Sequence, residues 1–216
     1  MKAPPLKFWL SQPKILTNFI AMSFIWLIAS FNFYLIQFLL TSFEQVYLST
    51  IFSCISDMLG YGTGGAIFSA IGIKKTQVSG FSIATIGGLI ILFYGLKHEG
   101  SYGFLFLIML AKYGTTLSFG LNYSANSYLF PTLFAATALG QCQTFARLFS
   151  ALSPVFAQMD EPIPMILFSA SSAITIFIVM LLNVPKSTPD ELITKPLHGT
   201  NSIVGVEAVD KTDRLT

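Results

Sequence analysis

"ILTNFIAMSFIWLIASFNFYLIQFLLTSF", residues 15–43, contains no charged side chain. About 20 residues rising 1.5 Å each cross a hydrocarbon core of about 30 Å, so this run is long enough to span a bilayer as a helix. It is too long for the apolar core of a cleaved signal peptide, which runs about 7 to 15 residues. The rest of the chain repeats the theme. Of its 216 residues, 53% are hydrophobic and only 10% charged, against roughly 25% charged in a soluble domain. Mean hydropathy is +0.69, and the charges sit in short clusters between long uncharged runs, as when spans and loops alternate. A net charge of +2 therefore carries no argument for nucleic acid. Cys54 and Cys142 lie in apolar segments, which supports neither a disulfide framework nor a thiolate metal site.

Working outward, six helices are expected, at about Ile15 to Leu40, Tyr47 to Ile73, Val78 to Leu96, Ser101 to Asn122, Thr132 to Gln158 and Ile163 to Val184. Their separators, among them "KKTQ", "KHEG", "YSANSYLFP" and "MDEP", are short, and short connections make consecutive helices antiparallel neighbours. The expected fold is an all-α membrane protein of six transmembrane helices. Residues 1–14 form an N-terminal segment, 15–184 the bundle and 185–216 a polar tail without periodicity, expected to be disordered. With the N-terminus inside, one side of the membrane receives Lys2, Lys7, Lys14, Lys74, Lys75, Lys186, Lys195, Lys211 and Arg214, and the other only Lys97. The excess of basic residues on cytoplasmic loops then puts both termini in the cytoplasm.

Three ionisable residues fall inside these spans: Asp57, Lys112 and Arg147. Counted from the outer helix ends they lie ~15, ~16 and ~18 Å deep, near the middle of the core. A central Asp, Lys or Arg costs about 2.5 to 3.5 kcal/mol on insertion scales, so each is expected to face the bundle interior or a water-filled cavity. The helical neighbours agree. Arg147 shares its face with Gly140, Gln143, Thr144, Ser150, Ala151 and Pro154; Lys112 with Thr115, Thr116 and Phe119; Asp57 with Cys54, Tyr61 and Gly64. Two cations against one carboxylate leave an excess positive charge, suited to an anion or to a substrate's carboxylate. The bland alternative is that the charges merely pair to hold the bundle together.

"GYGTGG", residues 60–65, superficially suggests a phosphate-cradling loop, but that fingerprint needs a strand before it and a helix start after it. Mid-span, Gly60 and Gly64 in GxxxG spacing mark a close helix approach instead. Tyr34, Tyr61, Tyr113, Tyr123, Trp26 and Phe119 are candidates for stacking on a flat organic substrate, against the commoner role of packing. "NYS" at Asn122 reads as a glycosylation acceptor, unused at a cytoplasmic face. His98 and His198 lie outside the spans, HExxH is missing, and a single membrane Asp makes no two-carboxylate dyad. No enzyme activity, metal or cofactor is expected.

The stretch "AKYGTTLSFGLNYSANSYLFPT", residues 111–132, resembles the tenth helix and following turn of the organic-ion transporters (organic cation, organic anion and carnitine transporters) of the major facilitator superfamily. There a Gly-Lys-Phe-Gly run leads to a Ser-Glu-Leu-Tyr-Pro-Thr turn. Lys112 falls on the family's lysine, Gly114 on its glycine, and Pro131 with Thr132 on its Pro-Thr. "VYLSTIFSCISDMLGYGTGGAIFSAIGIKK" is similar to the eighth helix, with Asp57 in place of a glutamate and Tyr61 on a tyrosine. "FIWLIASFNFY" resembles the seventh, with Trp26 on a tryptophan. "QTFARLFSALSP" resembles the eleventh, with Arg147 on the arginine of the anion and carnitine branches, and "PKSTPDELI" echoes the segment after the twelfth.

The resemblance implies the C-terminal six-helix half of a major facilitator transporter. Its function would be transmembrane transport of small organic ions by alternating access, with Asp57, Tyr61, Lys112 and Arg147 as substrate-binding or charge-coupling residues. The partners are a small organic ion, anion or zwitterion favoured, the lipid bilayer, and a missing N-terminal half or a second copy. The sequence also departs from the family. Residues 69–74, "SAIGIK", replace an Asp-Arg-x-Gly-Arg-Arg loop; Tyr128 stands for a glutamate and Ala135 for an arginine. These loops form the family's cytoplasmic charge relay, so altered gating is expected. Since the family has twelve spans, the chain is expected to be a truncated product or incomplete gene model. The alternatives are an autonomous half and a degenerate, non-transporting membrane protein.

Overall fold

A computed structural model describes residues 11–40, 46–93 and 102–184. The first ten residues, the tail from 185 with His198, and the loops holding Glu44, Lys97, His98 and Glu99 lie outside the described residues. Seven helices follow one another: α1 Pro13–Leu39, α2 Val46–Ile71, α3 Ile73–Phe93, α4 Tyr102–Leu129, α5 Thr132–Ser150, α6 Ser153–Ala157 and α7 Ile163–Met180. No strand occurs among the described residues. Helix α4 packs against α1, α2 and α3, while α3 also meets α7, and α1 meets α5 and α7.

Among the described residues four helices are long and apolar enough to cross a membrane: Pro13–Leu39, Ile73–Phe93, Gly103–Leu129 and Ile163–Met180. The expected six spans thus reduce, on apolar length, to four. Helices α2 and α5 have 26 and 19 residues, enough in length, but Ser, Gly and Asp57 dilute the first, and Gln, Thr, Gly and Arg147 the second. These are the two helices that carry Asp57 and Arg147, the mid-span charges other than Lys112.

Several boundaries differ from expectation, each for a local reason. "KKTQ" is no loop: Gly72 alone joins α2 to α3, with φ of +80°, a left-handed conformation open to glycine. Its N–H donates to the Phe68 carbonyl at 2.9 Å, and its own carbonyl accepts the Thr76 hydroxyl at 2.7 Å. Helix α4 runs through "YSANSYL" to Leu129 because its asparagines turn inward. Asn122 pairs with Gln77 of α3, and Asn126 Nδ2 donates to the Ala135 carbonyl at 2.8 Å. The expected fifth helix breaks after Ser150, where Pro154 cannot donate to the carbonyl four residues back. Helix α7 stops at Met180 rather than Val184.

The core is double. One apolar cluster includes Met22, Ile25, Trp26, Phe81, Phe130, Phe134, Cys142 and Val179; the other includes Phe31, Leu35, Ile36, Ile91, Phe104, Ile108, Met165 and Phe168. On α1, α4 and α7 the sequence passes from one cluster to the other near buried polar residues: Ser30 and Asn32 on α1, Lys112, Thr115 and Thr116 on α4, Ser169 and Ser172 on α7. Asn32 Nδ2 donates to Ser172 Oγ, and Ser171 Oγ donates to Asn32 Oδ1, both at 2.9 Å. A hydrogen-bonded polar layer therefore divides the bundle at mid-height. At one end, Asn18 Nδ2 donates to the Asn183 carbonyl and Asn18 Oδ1 accepts the Asn183 N–H, each at 2.8 Å, joining the start of α1 to the exit of α7.

Candidate functional site

Lys112 is fully buried on α4. Its Nζ donates to Gln37 Oε1 of α1 at 2.8 Å, lies 3.7 Å from Asp57 Oδ1 of α2, and sits 3.9 Å from the centre of the Phe33 ring. The same Asp57 oxygen accepts the Thr116 hydroxyl at 2.5 Å. Carboxylate, amide oxygen and aromatic face replace water around the ammonium, the satisfaction that a buried charge requires. Asp57 retains 26% of its side-chain exposure, Lys112 none. The pair is closed on the cation side and open on the anion side.

Arg147 is placed differently. It is exposed on α5, its Nη1 donates to the Tyr34 hydroxyl of α1, and its guanidinium carbon lies 5.6 Å from the centre of that tyrosine ring. Among the described residues no carboxylate pairs with it; the ion pair found there is Lys112 with Asp57. Helix α1 ties the three charges together. Phe33 lies under Lys112 and Tyr34, one residue on, holds Arg147.

Tyr61 is exposed one turn beyond Asp57, with its ring over Gly120, where an added Cβ would approach Tyr61 Cδ1 to 2.8 Å. The other singled-out aromatics form a connected wall. Phe33 stacks on Phe119 at 4.9 Å between centres; Trp26 meets Phe119 edge-on at 5.7 Å and Tyr123 at 4.7 Å. Tyr113 is held apart by a 2.9 Å hydrogen bond with Thr63. The wall leads from the ammonium at mid-height to the exposed Tyr123. Asn122 is completely buried, so burial alone keeps the sequon from modification.

Sequence reasoning missed Gln37 and Phe33. A neutral amide within an uncharged run carries no signal, and one phenylalanine among 21 is indistinguishable until its neighbours are known. The replaced relay residues are also re-employed. Tyr128 packs edge-on against Phe68 at 6.0 Å between ring centres, and Lys74 Nζ donates to the Met180 and Leu182 carbonyls at 2.5 and 3.4 Å.

No family model matches the chain. Among curated proteins it is 31% identical over 116 residues, half of its length, to organic cation/carnitine transporter 2 of Homo sapiens. It is 22% identical over 169 residues, 76% of its length, to solute carrier family 22 member 4 of Mus musculus. The matches span 21% and 30% of those proteins. The chain is thus distantly homologous to organic cation/carnitine transporters, and its four apolar helices mark an integral membrane protein.

Proposed function

We propose that this chain supplies the C-terminal six-helix half of a pathway that moves small organic ions across a membrane by alternating access, with anions or zwitterions favoured. The observation that carries the proposal is the inequality of the two cations. Lys112 is consumed by Asp57, Gln37 and Phe33, whereas Arg147 stands exposed with only a neutral phenol beside it. In this reading Arg147 and Tyr34 receive the negative group of the substrate. Lys112 contributes its share of the positive field from behind, and Asp57 with Tyr61 couples that field to charge movement or takes a cationic group.

Helices α2 and α5 complete the six spans. The open surface they present carries the exposed Tyr61 and Arg147 and the partly exposed Asp57. A charge at mid-depth is too costly to face lipid, so this surface belongs to a water-filled cavity roofed by another helical half, either a first half or a second copy. The end with Lys14, Lys74 and Lys75 faces the cytoplasm and the end with Asp160 and Glu161 faces out, in keeping with the distribution of basic residues. The test is uptake in cells expressing the protein. Arg147→Ala is expected to abolish uptake of anionic and zwitterionic substrates at unchanged surface abundance; uptake at the parent level would remove Arg147 from the mechanism.

A further inference from the structure

The end of the bundle where α2 turns into α3 holds a cavity of about 520 Å³ that the transport pathway does not use. Its walls are Ile71, Ile73, Val78, Met180 and Val184, with Lys74 and Lys75 at the rim and no acidic residue in the lining. The Lys74 ammonium is spent on the carbonyls that end α7, where a cation offsets the negative end of the helix dipole. Lys75 is exposed and makes no ion pair among the described residues. Helix α3 begins at Ile73, so its positive end also points at this corner. Ile71, at the end of α2, and Met180, at the end of α7, are 44% and 54% exposed, and α3 and α7, which meet here, are apolar enough to span a bilayer. An apolar slot beside a lysine that has no ion pair among the described residues has the polarity of one phospholipid molecule.

The geometry points to a binding site for an anionic phospholipid, its phosphate on Lys75 at the rim and an acyl chain against Ile71, Val78 and Met180. The inference rests on the proposed orientation, which places this end in the leaflet that holds the anionic lipids. Its readout is binding, so it fails or stands independently of transport. The full 216-residue chain, purified and placed in nanodiscs, is titrated with phosphatidylserine against a phosphatidylcholine background, and bound lipid is counted by native mass spectrometry.

Preferential retention of phosphatidylserine is expected, with about a fivefold loss for Lys75→Gln, the factor equivalent to about 1 kcal/mol per lysine, a larger loss for Lys75→Glu, and retention for Lys75→Arg. Lys14, exposed at the same end but outside the cavity, serves as the control. An equal loss on Lys14→Glu would mean diffuse surface attraction and overturn the site, as would equal retention of the two lipids by the parent chain. Soluble glycerol phosphate is the last arm. Competition at lipid-like concentrations would show that only a free phosphate is recognised, which overturns the lipid assignment; failure to compete supports it.

Discussion

An ammonium carries three donors and needs all of them occupied once it leaves water. At Lys112 one goes to Gln37, the Asp57 carboxylate stands at 3.7 Å, and the Phe33 ring covers another side. Removing one partner of such a pair leaves a buried charge uncompensated, which costs about 3 to 5 kcal/mol. Because Asp57 is partly exposed and Gln37 stays in place, Asp57→Asn is expected at the lower end, about 3 kcal/mol, read as a fall in the thermal midpoint of the purified chain. Replacing both charges by Asp57→Leu with Lys112→Met should recover most of that loss. A double variant no better than the single one would mean that the pair does not act as a unit. Of this cluster only the charges were legible beforehand, through their depth along three helices. Gln37 and Phe33 are defined by contact across helices, and nothing in an uncharged run distinguishes them.

At the scale of the helix, small residues decide how near two backbones come. The buried residues of α2 are Ser49, Ser53, Ser56, Gly60 and Gly64, a single seam at helical spacing that lies against α4 with Ser56 Oγ donating to the Met109 carbonyl at 2.8 Å. Between α3 and α4 the approach is closer still. A Cβ on Gly114 would stand 2.5 Å from the Ala84 nitrogen and the Gly80 carbonyl oxygen, and backbone cannot yield as a flexible side chain can. Gly114→Ala is therefore expected to force the helices apart and cost about 1 to 3 kcal/mol. Gly62 faces open space, so Gly62→Ala should be neutral or stabilising by up to about 1 kcal/mol through helix propensity. Parallel thermal unfolding of both variants checks the pair, and equal effects would refute the close approach. The GxxxG spacing of Gly60 and Gly64 announced the contact of α2 with α4 in advance. The run through Asn122 and Asn126 misled, because asparagine and serine mark loops unless, as here, a neighbouring helix satisfies them.

For the whole molecule, the helices and their order were readable from hydropathy. The division of labour among them was not, because it depends on which faces remain uncovered. Helices α2 and α5 are the polar ones, outside the four that apolar length marks among the described residues as spans, and they leave their charged sides open. Native cysteines report on that open side. Cys54 is exposed one turn from Asp57, whereas Cys142 is buried beside Ser23, with Sγ and Oγ 3.3 Å apart. Thiols react with maleimides as thiolates, a form that requires water. In membranes of cells expressing the chain, a water-soluble maleimide is expected to label Cys54 and spare Cys142. An unlabelled Cys54 would put that face against lipid and remove the cavity.

The two hydrogen bonds between Asn18 and Asn183 have a topological meaning as well as a stabilising one. They bring the entry and the exit of the described bundle to one corner, so the helices form a closed circuit whose first and last members are neighbours. Rank along the chain is then only one way of stringing that circuit. The same helices, opened at the turn before α7 and bridged at this corner, would keep every neighbour they have now.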